Sequence, residues 1–329
     1  MTQPLVSILI TNYNYGRFLS DAIDSALQQT YPEVEVIVVD DGSQDSSHEV
    51  IASYGQRIRP VLKQNGGQAS AFNAGFKVSQ GEIIFLLDSD DLFEPEKVEK
   101  VIRVFHENPK PGWCFHPVNL VASDAQTLIE TATEFPEFEC DLREPIKRGK
   151  INGVFPKLKI PPTSGLCFRR SVLEKILPMP ESIRITSDTY LQLASLSFSP
   201  GFVLGQPLVK QRIHGNNAYT RKPDQRPIKA KIHVLTADGL RRNFPVLQPT
   251  ANNFISSALS LSWQVGLPNE ECQKLLKEYL NSLGFLSRSQ VFLKAVYYYL
   301  KYRWTEYRSI LLERRWWFYS ESTGSIGTK

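Results

Sequence analysis

Cysteine is scarce in this chain of 329 residues, and its placement excludes two classes of site. The four cysteines stand at positions 114, 140, 167 and 272, with no CxxC pair and no Cys/His cluster. Zinc centres and dithiol redox sites need such close spacing. We therefore expect reduced, buried thiols of the kind found in cytoplasmic proteins.

Long apolar runs and strong net charge are also lacking. No stretch reaches the ~18 apolar residues of a membrane-spanning helix, and the nearest, "FISSALSLSWQVGLP" at 254–268, is short and rich in serine. The N-terminal "MTQPLVSILIT" has no basic segment before its apolar run, so we expect no signal peptide. Thirty-eight Lys and Arg against 34 Asp and Glu give a net charge of +4, too weak to predict nucleic-acid binding.

The two commonest nucleotide-binding loops are missing as well. The sequence contains no GxxxxGK[ST] loop, and its first predicted strand is followed by "TNYNYG" at 11–16 instead of GxGxxG. P-loop ATPases and dinucleotide-binding dehydrogenases are therefore disfavoured.

What the sequence does contain is a regular alternation of strands and helices over its first hundred residues. The runs "LVSILIT" (5–11) and "VEVIVVD" (34–40) are apolar and β-branched without polar alternation, as in strands covered on both faces. Further strands are predicted near "RPVLKQ" and over "EIIFLLD", with helices over about 45–54 and 68–79. This order predicts an α/β fold with a doubly wound, mainly parallel sheet.

Polar clusters follow three of the predicted strands. They are "TNYNYG" (11–16), "DDGSQD" (40–45) and "DSDD" (88–91). Because ligands of such sheets bind outside the carboxyl ends of the strands, the three clusters are expected to face one crevice.

The residue types in these clusters suit a nucleoside diphosphate with a metal ion. Two carboxylates at i and i+2, such as Asp88 and Asp90, can share a divalent cation and leave positions for water and phosphate oxygens. The cation neutralises a departing diphosphate. An aromatic ring such as Tyr13 can stack on a base, and an aspartate of the second cluster can accept a hydrogen bond from it.

At this point the sequence resembles a known family. The segments "VSILITNYNYGRFLSDAIDSALQQTYPEVEVIVVDDGSQDSS" and "NGGQASAFNAGFKVSQGEIIFLLDSDD" look like the nucleotide-sugar half of the family 2 glycosyltransferases. The resemblance implies a GT-A fold, with a mixed and mainly parallel sheet, and an inverting transfer from a nucleotide-diphosphate sugar with Mn or Mg.

The resemblance also implies roles for residues at matching positions. Thr11 and Tyr13 would cradle the base, and Asp41, with Asp40, would read it. Asp88 and Asp90 match the DxD pair, with Asp90 as the direct metal ligand and Asp88 as a ribose or metal contact. Asp91 is expected to cap the helix that starts near Pro95.

One position departs from the family. Many relatives carry Arg or Lys just before the Asn of "NAG", where this chain has Phe72. A cation that neutralises the diphosphate would then have to come from elsewhere, with Lys63 or Arg212 as candidates.

The second half resembles the acceptor side of the family. In "ITSDTYLQLA" (185–194) Asp188 is the candidate base, with Ser187 where an acidic residue often stands. Inverting transfer needs one carboxylate to take the proton from the acceptor hydroxyl. The segment "QRIHGNN" (211–217) matches the family's R-x-H, which implies a metal or diphosphate contact for His214 and a diphosphate contact for Arg212.

Three regions are predicted, the last of which lies beyond the resemblance. They are a nucleotide-sugar half (1–110), an acceptor and catalytic half (111–224), and an all-helical C-terminal extension (225–329). Helical periodicity in the extension covers 228–244, 252–265, 270–283 and 289–319.

The last predicted helix carries both basic and apolar residues. Lys294, Lys301, Arg308 and Arg315 recur every seven residues, so on a helix they form a stripe that drifts only ~20° per repeat. Phe292, Val296, Leu300, Tyr307, Leu311 and Phe318 lie across from much of it. This pattern indicates either contact with an anionic membrane through 289–319 or packing on the rest of the protein.

The resulting hypothesis is a cytoplasmic glycosyltransferase that acts on a glycan, glycolipid or other lipid-linked acceptor, with peripheral contact at the inner face of the membrane as one interpretation of its last helix. The donor is expected to be a uridine nucleotide sugar, although guanosine and thymidine fit the same crevice. Two alternatives stay open: a non-catalytic nucleotide-sugar-binding module and a metal-dependent nucleotidyltransferase. The second should carry a glycine-rich basic loop after its first strand, and "TNYNYGRF" is not one.

Overall fold

The computed structural model describes residues 3–150, 161–215, 217 and 224–322, with side chains as far as residue 304. The chain divides into two units. The first comprises Met1–Pro223 and Leu235–Ala251, and the second comprises Asp224–Val234 and Asn252–Lys329.

The described strands all belong to the first unit. They are β1 (Val6–Asn12), β2 (Val34–Asp40), β3 (Arg59–Leu62), β4 (Ile83–Asp88), β5 (Leu92–Phe93), β6 (Trp113–Phe115), β7 (Asn119–Val121), β8 (Leu128–Glu130), β9 (Phe138–Cys140), β10 (Leu166–Arg169), β11 (Gly201–Val203) and β12 (Val209–Arg212).

These strands form a large mixed sheet and a small one. The large sheet has the order β3-β2-β1-β4-β10-β6-β11-β9, and the small sheet has the order β5-β12-β7-β8. Strands β3, β2, β1 and β4 are parallel neighbours, whereas β10 runs antiparallel between β4 and β6. The predicted α/β class with a mixed, mainly parallel sheet is confirmed.

The parallel strands lie at the centre of the apolar core. In β1, Val6, Ile8 and Ile10 are fully buried on one face while Leu9 is buried on the other, which explains the absence of polar alternation. In β4, Phe85 and Leu87 lie in the same core cluster. Burial on both faces makes these strands rigid supports for the loops at their carboxyl ends.

Seven described α-helices lie wholly in the first unit. They are α1 (Gly16–Leu27), α2 (Ser47–Ser53), α3 (Gln68–Val78), α4 (Lys97–Glu107), α5 (Arg143–Lys147), α6 (Arg170–Leu173) and α7 (Asp188–Phe198), with short 3₁₀ helices at Gly55–Arg57, Thr163–Gly165 and Pro245–Leu247.

The α4 helix begins without the predicted aspartate cap. Its N-cap is Glu96, with no side-chain hydrogen bond. Asp91 is buried and accepts hydrogen bonds from the Ser164 hydroxyl at 2.6 Å and from the Arg212 amide at 3.0 Å. The prediction that Asp91 caps this helix is therefore wrong, because its carboxylate instead connects the 3₁₀ helix at Thr163–Gly165 to β12.

The second unit contains the helices that the periodicity predicts. After α8 (Arg226–Asn243), whose residues from Leu235 onward belong to the first unit, come α9 (Gln248–Val265), α10 (Glu270–Asn281) and α11 (Phe285–Ser322). Within the unit, the Tyr279 hydroxyl donates a hydrogen bond to Asn252 at 2.9 Å, and the Trp263 and Tyr299 rings meet edge to face. Within the described residues, no helix combines the length and hydropathy needed to cross a membrane.

Candidate active site

A cavity of about 430 Å³ opens at the carboxyl ends of β1, β2 and β4 in the first unit. Its described lining consists of Thr11, Asn12, Tyr13, Tyr15, Asp41, Asn65, Gly67, Gln68, Ala71, Asp88, Ser89, Asp90, Asp91, Pro162, Thr163, Arg184, Ile185, Thr186, Asp188, Gln211 and Asn217. All three polar clusters that follow the predicted strands contribute to this lining.

The first strand places an aromatic ring and a hydroxyl at one end of the cavity. Tyr13 is 48% exposed, an unusual exposure for a large ring beside a buried strand. Thr11, two residues earlier, lies with its hydroxyl 3.5 Å from Asp88. The ring is therefore accessible to a planar ligand, as the sequence predicts for a base.

The neighbouring residues Asp40 and Asp41 have different surroundings. Asp40 is fully buried and outside the cavity, where its carboxylate accepts hydrogen bonds from Asn12 and from the Ser43 amide, both at 2.8 Å, and lies 3.0 Å from His48. Burial acts to raise the pKa of Asp40, but hydrogen bonds from Ser43, Asn12 and His48 outweigh it and hold this pKa below its usual value. Asp40 holds the loop together in this arrangement and does not face a ligand.

Asp41 lines the cavity and organises the loop that follows β3. Its carboxylate contacts Lys63 Nζ at 2.6 Å and accepts hydrogen bonds from the Gly66 and Gly67 amides at 2.9 and 2.6 Å. Gly67 has a φ of +88°, and a Cβ there would lie 2.6 Å from the Arg184 Cα. The glycine is required because two chain segments approach each other at this point.

Asp88 and Asp90 face the same cavity as carboxylates with few hydrogen-bond donors. Asp88 accepts from Gln68 at 3.1 Å, and Asp90 lies 3.0 Å from His214 and 3.3 Å from Asn217. Burial, together with the charges of Asp90 and Asp188, raises the pKa of Asp88 to about 7. Crowding like charges in a partly desolvated site costs free energy, and a bound cation would lower that cost.

Asp188 lies in the first turn of α7 and faces the same cavity. Its carboxylate accepts a hydrogen bond from the Thr189 amide at 2.8 Å, and burial raises its pKa to about 6. A carboxylate with such a pKa is ionised near neutral pH and basic enough to accept a proton. Asp188 is separated from Asp88 by 100 positions in the sequence, yet both line one cavity.

Gln68 connects the two ends of the cavity, and the sequence did not identify it. Its amide nitrogen donates to Asp88, while its amide oxygen accepts from both the amide and the hydroxyl of Ser187 at 3.0 Å. Ser187, where relatives often have an acidic residue, is thus fully engaged with Gln68 and buried. The only signal in the sequence was the position of Gln68 directly after the two glycines.

His214 and Arg212 lie behind the cavity. The His214 ring packs edge to face on Tyr15, with centroids 5.3 Å apart, and its Nε2 contacts Asp90. Arg212 is 2% exposed, and its guanidinium pairs with Asp21 at 2.7 Å and stacks over Phe18. In this arrangement Arg212 does not reach the cavity, and the diphosphate contact predicted for it would require the pair with Asp21 to open.

Tyr15 is a second lining residue that the sequence did not single out. Burial and the charges of Asp90 and Asp88 raise the pKa of its hydroxyl far above the usual value. The tyrosine is therefore neutral at all working pH values, beside the carboxylates and against the His214 ring.

The described residues do not form a complete metal site. No three histidine, cysteine or acidic side chains among them are grouped so as to hold an ion by themselves. Asp88 and Asp90 supply two carboxylates, which suits an ion that takes its other ligands from phosphate and water.

The fold and the position of the cavity define a class of protein. A mixed, mainly parallel sheet with flanking helices is the arrangement of GT-A proteins. The profile of the family described as Glycosyl transferase family 2 matches residues 7–177. The chain therefore belongs to glycosyl transferase family 2.

Curated relatives agree with this assignment. An uncharacterized glycosyltransferase of Nostoc sp. is 36% identical over 217 residues, which cover 64% of this chain and 66% of the relative. One of Rickettsia typhi is 33% identical over 215 residues and 64% of either chain. The chain thus matches just under two thirds of the length of these relatives.

A solved structure shares the fold at low sequence identity. The crystal structure of S. aureus TarS 1-349 in complex with UDP-GlcNAc has a TM-score of 0.60 and 16% sequence identity, and the match covers 90% of this chain and 89% of that one. At this identity the likeness establishes the fold alone.

Proposed function

We propose that this protein is an inverting glycosyltransferase that moves a sugar from a nucleotide-diphosphate donor to an acceptor hydroxyl. The observation that carries the proposal is that Asp188 lines the same cavity as Asp41, Asp88 and Asp90. A donor and an acceptor held in one cavity can react without leaving it.

The donor end is assigned to the strand-end clusters. Tyr13 stacks on the base, Thr11 lines its site, and Asp41 reads its edge, with uridine as the proposed base. The exposed ring of Tyr13 supports this assignment, and the TarS structure of the same fold contains UDP-GlcNAc. The fully engaged carboxylate of Asp40 argues that its part in reading the base is indirect, through the loop it holds.

A divalent cation, Mn or Mg, fits the residues at the end of β4. Asp88 and Asp90 would hold it, and His214 is proposed to act through Asp90, which it contacts at 3.0 Å. When bound, the cation would neutralise charge on the departing diphosphate. The raised pKa of Asp88, caused by burial and by neighbouring carboxylates, supports the need for positive charge there.

Asp188 is proposed as the general base. It takes the proton from the acceptor hydroxyl as that oxygen attacks the anomeric carbon from the face opposite the diphosphate. Gln68 and Ser187 position it relative to Asp88. The acceptor is proposed to be a glycan, glycolipid or other glycoconjugate.

An Asp188→Asn variant tests this proposal. We expect it to bind a nucleotide sugar as the wild type does and to lose transfer by about 100-fold or more. Binding is measured by calorimetry and transfer by release of the nucleoside diphosphate in the presence of acceptor glycans. Wild-type turnover in this variant would remove Asp188 as the base. Donor binding without transfer in the wild type would favour a binding module, and release of inorganic pyrophosphate from a nucleoside triphosphate would favour a nucleotidyltransferase.

The second unit is proposed to contact an anionic membrane surface through the start of α11. Six large apolar side chains there are more than half exposed, and five of them recur at intervals of three, four or seven residues: Leu286, Leu293, Tyr297, Leu300 and Trp304. Residues at this spacing share one face of a helix. From 285 to 304 the chain has four basic residues and no acidic one, so anionic lipid is a better partner for this face than a second positively charged copy.

Part of the predicted basic and apolar pattern cannot be placed on this face. Arg308, Arg315, Tyr307, Leu311 and Phe318 lie outside the described side chains. The proposal therefore rests on the residues up to 304.

Flotation of the full chain with vesicles tests the contact. We expect the chain to bind vesicles of ~30% phosphatidylserine and to bind neutral vesicles more weakly. The double variant Leu293→Asn/Leu300→Asn should bind at least about tenfold more weakly, because each leucine contributes ~1.5–3 kcal/mol when it is buried in the lipid. Val246→Asn, at an exposed apolar residue of the first unit, is the matched control. Equal binding by both variants, or a wild-type dimer that the double substitution dissociates, would overturn the membrane assignment.

A further inference from the structure

A nucleotide-diphosphate donor brings two negative phosphates into a cavity that already contains carboxylates, and the residues expected to balance them are engaged elsewhere. Phe72, at the position where relatives often have a basic residue, is 1% exposed and lies in the apolar core. Lys63 pairs with Asp41 at 2.6 Å, and Arg212 pairs with Asp21 at 2.7 Å.

Arg184 is the one basic side chain among the described residues that line the cavity. Its side chain is exposed, and within the described part of the chain no carboxylate pairs with its guanidinium. The guanidinium donates a hydrogen bond to the Asn65 side chain, which in turn donates to the Asp41 carbonyl at 2.9 Å. The side chain is thus held at the cavity by a neutral partner that leaves its charge uncompensated.

The backbone of Arg184 is anchored at the start of α3. Its carbonyl accepts a hydrogen bond from the backbone amide of Gln68 at 2.9 Å. Its Cα occupies the space that a side chain at position 67 would need. Gln68 also donates to Asp88. Gln68 therefore connects Arg184 to the pair of carboxylates at Asp88 and Asp90. The Arg184 guanidinium lies at the cavity in which the diphosphate is proposed to bind.

We infer that Arg184 binds the diphosphate of the donor and supplies the positive charge that Phe72 cannot. The inference rests on the proposed function and assigns a specific residue to it. A guanidinium suits this role because its planar donors match pairs of phosphate oxygens and remain charged at any working pH. The N-terminal end of α3, whose N-cap Gly67 and residues Gln68 and Ala71 line the cavity, adds partial positive charge at the same place.

The test is the difference in affinity between a nucleoside and its diphosphate. Uridine, UMP and UDP are titrated into the full chain with Mn²⁺ by calorimetry, for the wild type, Arg184→Ala and Arg184→Lys. We expect Arg184→Ala to weaken UDP by about tenfold or more while uridine changes by less than about twofold, because a hydrogen bond to a charged group is lost. Arg184→Lys retains the charge and should recover part of the loss.

A matched control removes a different exposed arginine of the first unit. Arg143 pairs with Asp141 at 2.5 Å and does not line the cavity, so Arg143→Ala should leave all three affinities unchanged. The preference of the wild type for UDP over uridine should also weaken with added salt, and this dependence should be smaller in Arg184→Ala.

The possible outcomes separate this inference from the function on which it rests. If Arg184→Ala weakens uridine and UDP equally, the residue acts only by supporting Asn65, and the inference is wrong. The same conclusion follows if the variant keeps the full advantage of UDP. If the wild type prefers no nucleoside diphosphate, whether of uridine, guanosine or thymidine, over its nucleoside, the proposed function itself fails.

Discussion

Two pairs of carboxylates stand at the ends of β2 and β4, the parallel strands on either side of β1, and they have opposite electrostatic situations. Asp40 at the end of β2 is buried among hydrogen-bond donors that hold its pKa below the usual value, although burial alone would raise it. Asp88 at the end of β4 is crowded by Asp90 and Asp188, and burial with these charges raises its pKa to about 7. The first pair is compensated within the protein, whereas the second is left for a positively charged ligand.

The comparison shows that adjacent acidic residues do not by themselves indicate a ligand site. What distinguishes the two pairs is the number of donors supplied by the surrounding chain. Asp41 has Lys63 and two backbone amides, whereas Asp90 has one histidine and one asparagine.

Removing a carboxylate from the uncompensated pair should have the largest effect. In Asp90→Ala we expect sugar transfer and Mn-dependent binding of UDP to fall by about 1000-fold, because the cation loses a charged ligand. The free energy of unfolding should change little or rise, since a source of repulsion is gone. Turnover and denaturant unfolding measure the two effects, and an unchanged transfer rate would contradict the metal assignment.

Removing a carboxylate from the compensated pair should act on stability instead. Asp40→Ala removes the acceptor that the buried Asn12 side chain and Ser43 backbone amide share, so we expect a loss of about 2–3 kcal/mol in the free energy of unfolding.

Asp124→Ala is the matched control, because this exposed aspartate also accepts three hydrogen bonds, at 2.6–2.9 Å, within a turn. It should cost clearly less stability than Asp40→Ala, because the donors that it frees can bond to water. Equal losses in the two variants would contradict the structural role of Asp40.

The pH dependence of transfer should follow the raised pKa on the acceptor side. Burial raises the pKa of Asp188 to about 6, so its neutral acid accumulates below that pH and cannot accept a proton. With Mn²⁺ at saturation to keep Asp88, whose pKa is also raised, in its ionised form, we expect kcat/KM to fall about tenfold per pH unit below about 6 and to be level above about 7. Asp40, whose pKa is lowered, should not titrate in this range. A profile without an acid limb between pH 5 and 7 would argue against Asp188 as the base.

Disconnecting the two ends of the cavity should have the smallest effect. In Gln68→Leu the hydrogen bonds to Asp88 and Ser187 are lost, while the shape of the side chain is largely kept. We expect kcat to fall by about tenfold, with KM for the donor changed by less than about threefold. Binding of the donor in its ground state does not require the hydrogen bonds of Gln68 to Asp88 and Ser187. A change confined to KM would show that Gln68 serves donor binding alone.

Much of the fold was predictable because its strongest signals are local. The runs that became β1, β2 and β4 are continuous and apolar, and the helices of the second unit have clear periodicity. The antiparallel direction of β10 and the separate small sheet were not predicted. Their strands have two to four residues, too few for any period to be read.

The candidate site was predictable in part. Thr11, Tyr13, Asp41, Asp88, Asp90 and Asp188 were expected at one crevice, and all line one cavity. The direction of individual side chains was not predictable, since Asp40 and Arg212 turn toward partners that lie elsewhere in the chain. Gln68 and Arg184 were missed, because a glutamine after a glycine and an arginine in a loop have no distinctive pattern.

The sequence by itself determined which strand ends carry carboxylates and in what order they occur, because periodicity and the geometry of parallel sheets are local rules. Only the tertiary structure decided which of those carboxylates are compensated. Compensation depends on donors brought from distant positions, such as Asn12 to Asp40 and the Gly66 and Gly67 amides to Asp41. The free-energy cost of a buried charge depends on the groups within hydrogen-bonding distance of it, and those groups come together only when the chain folds.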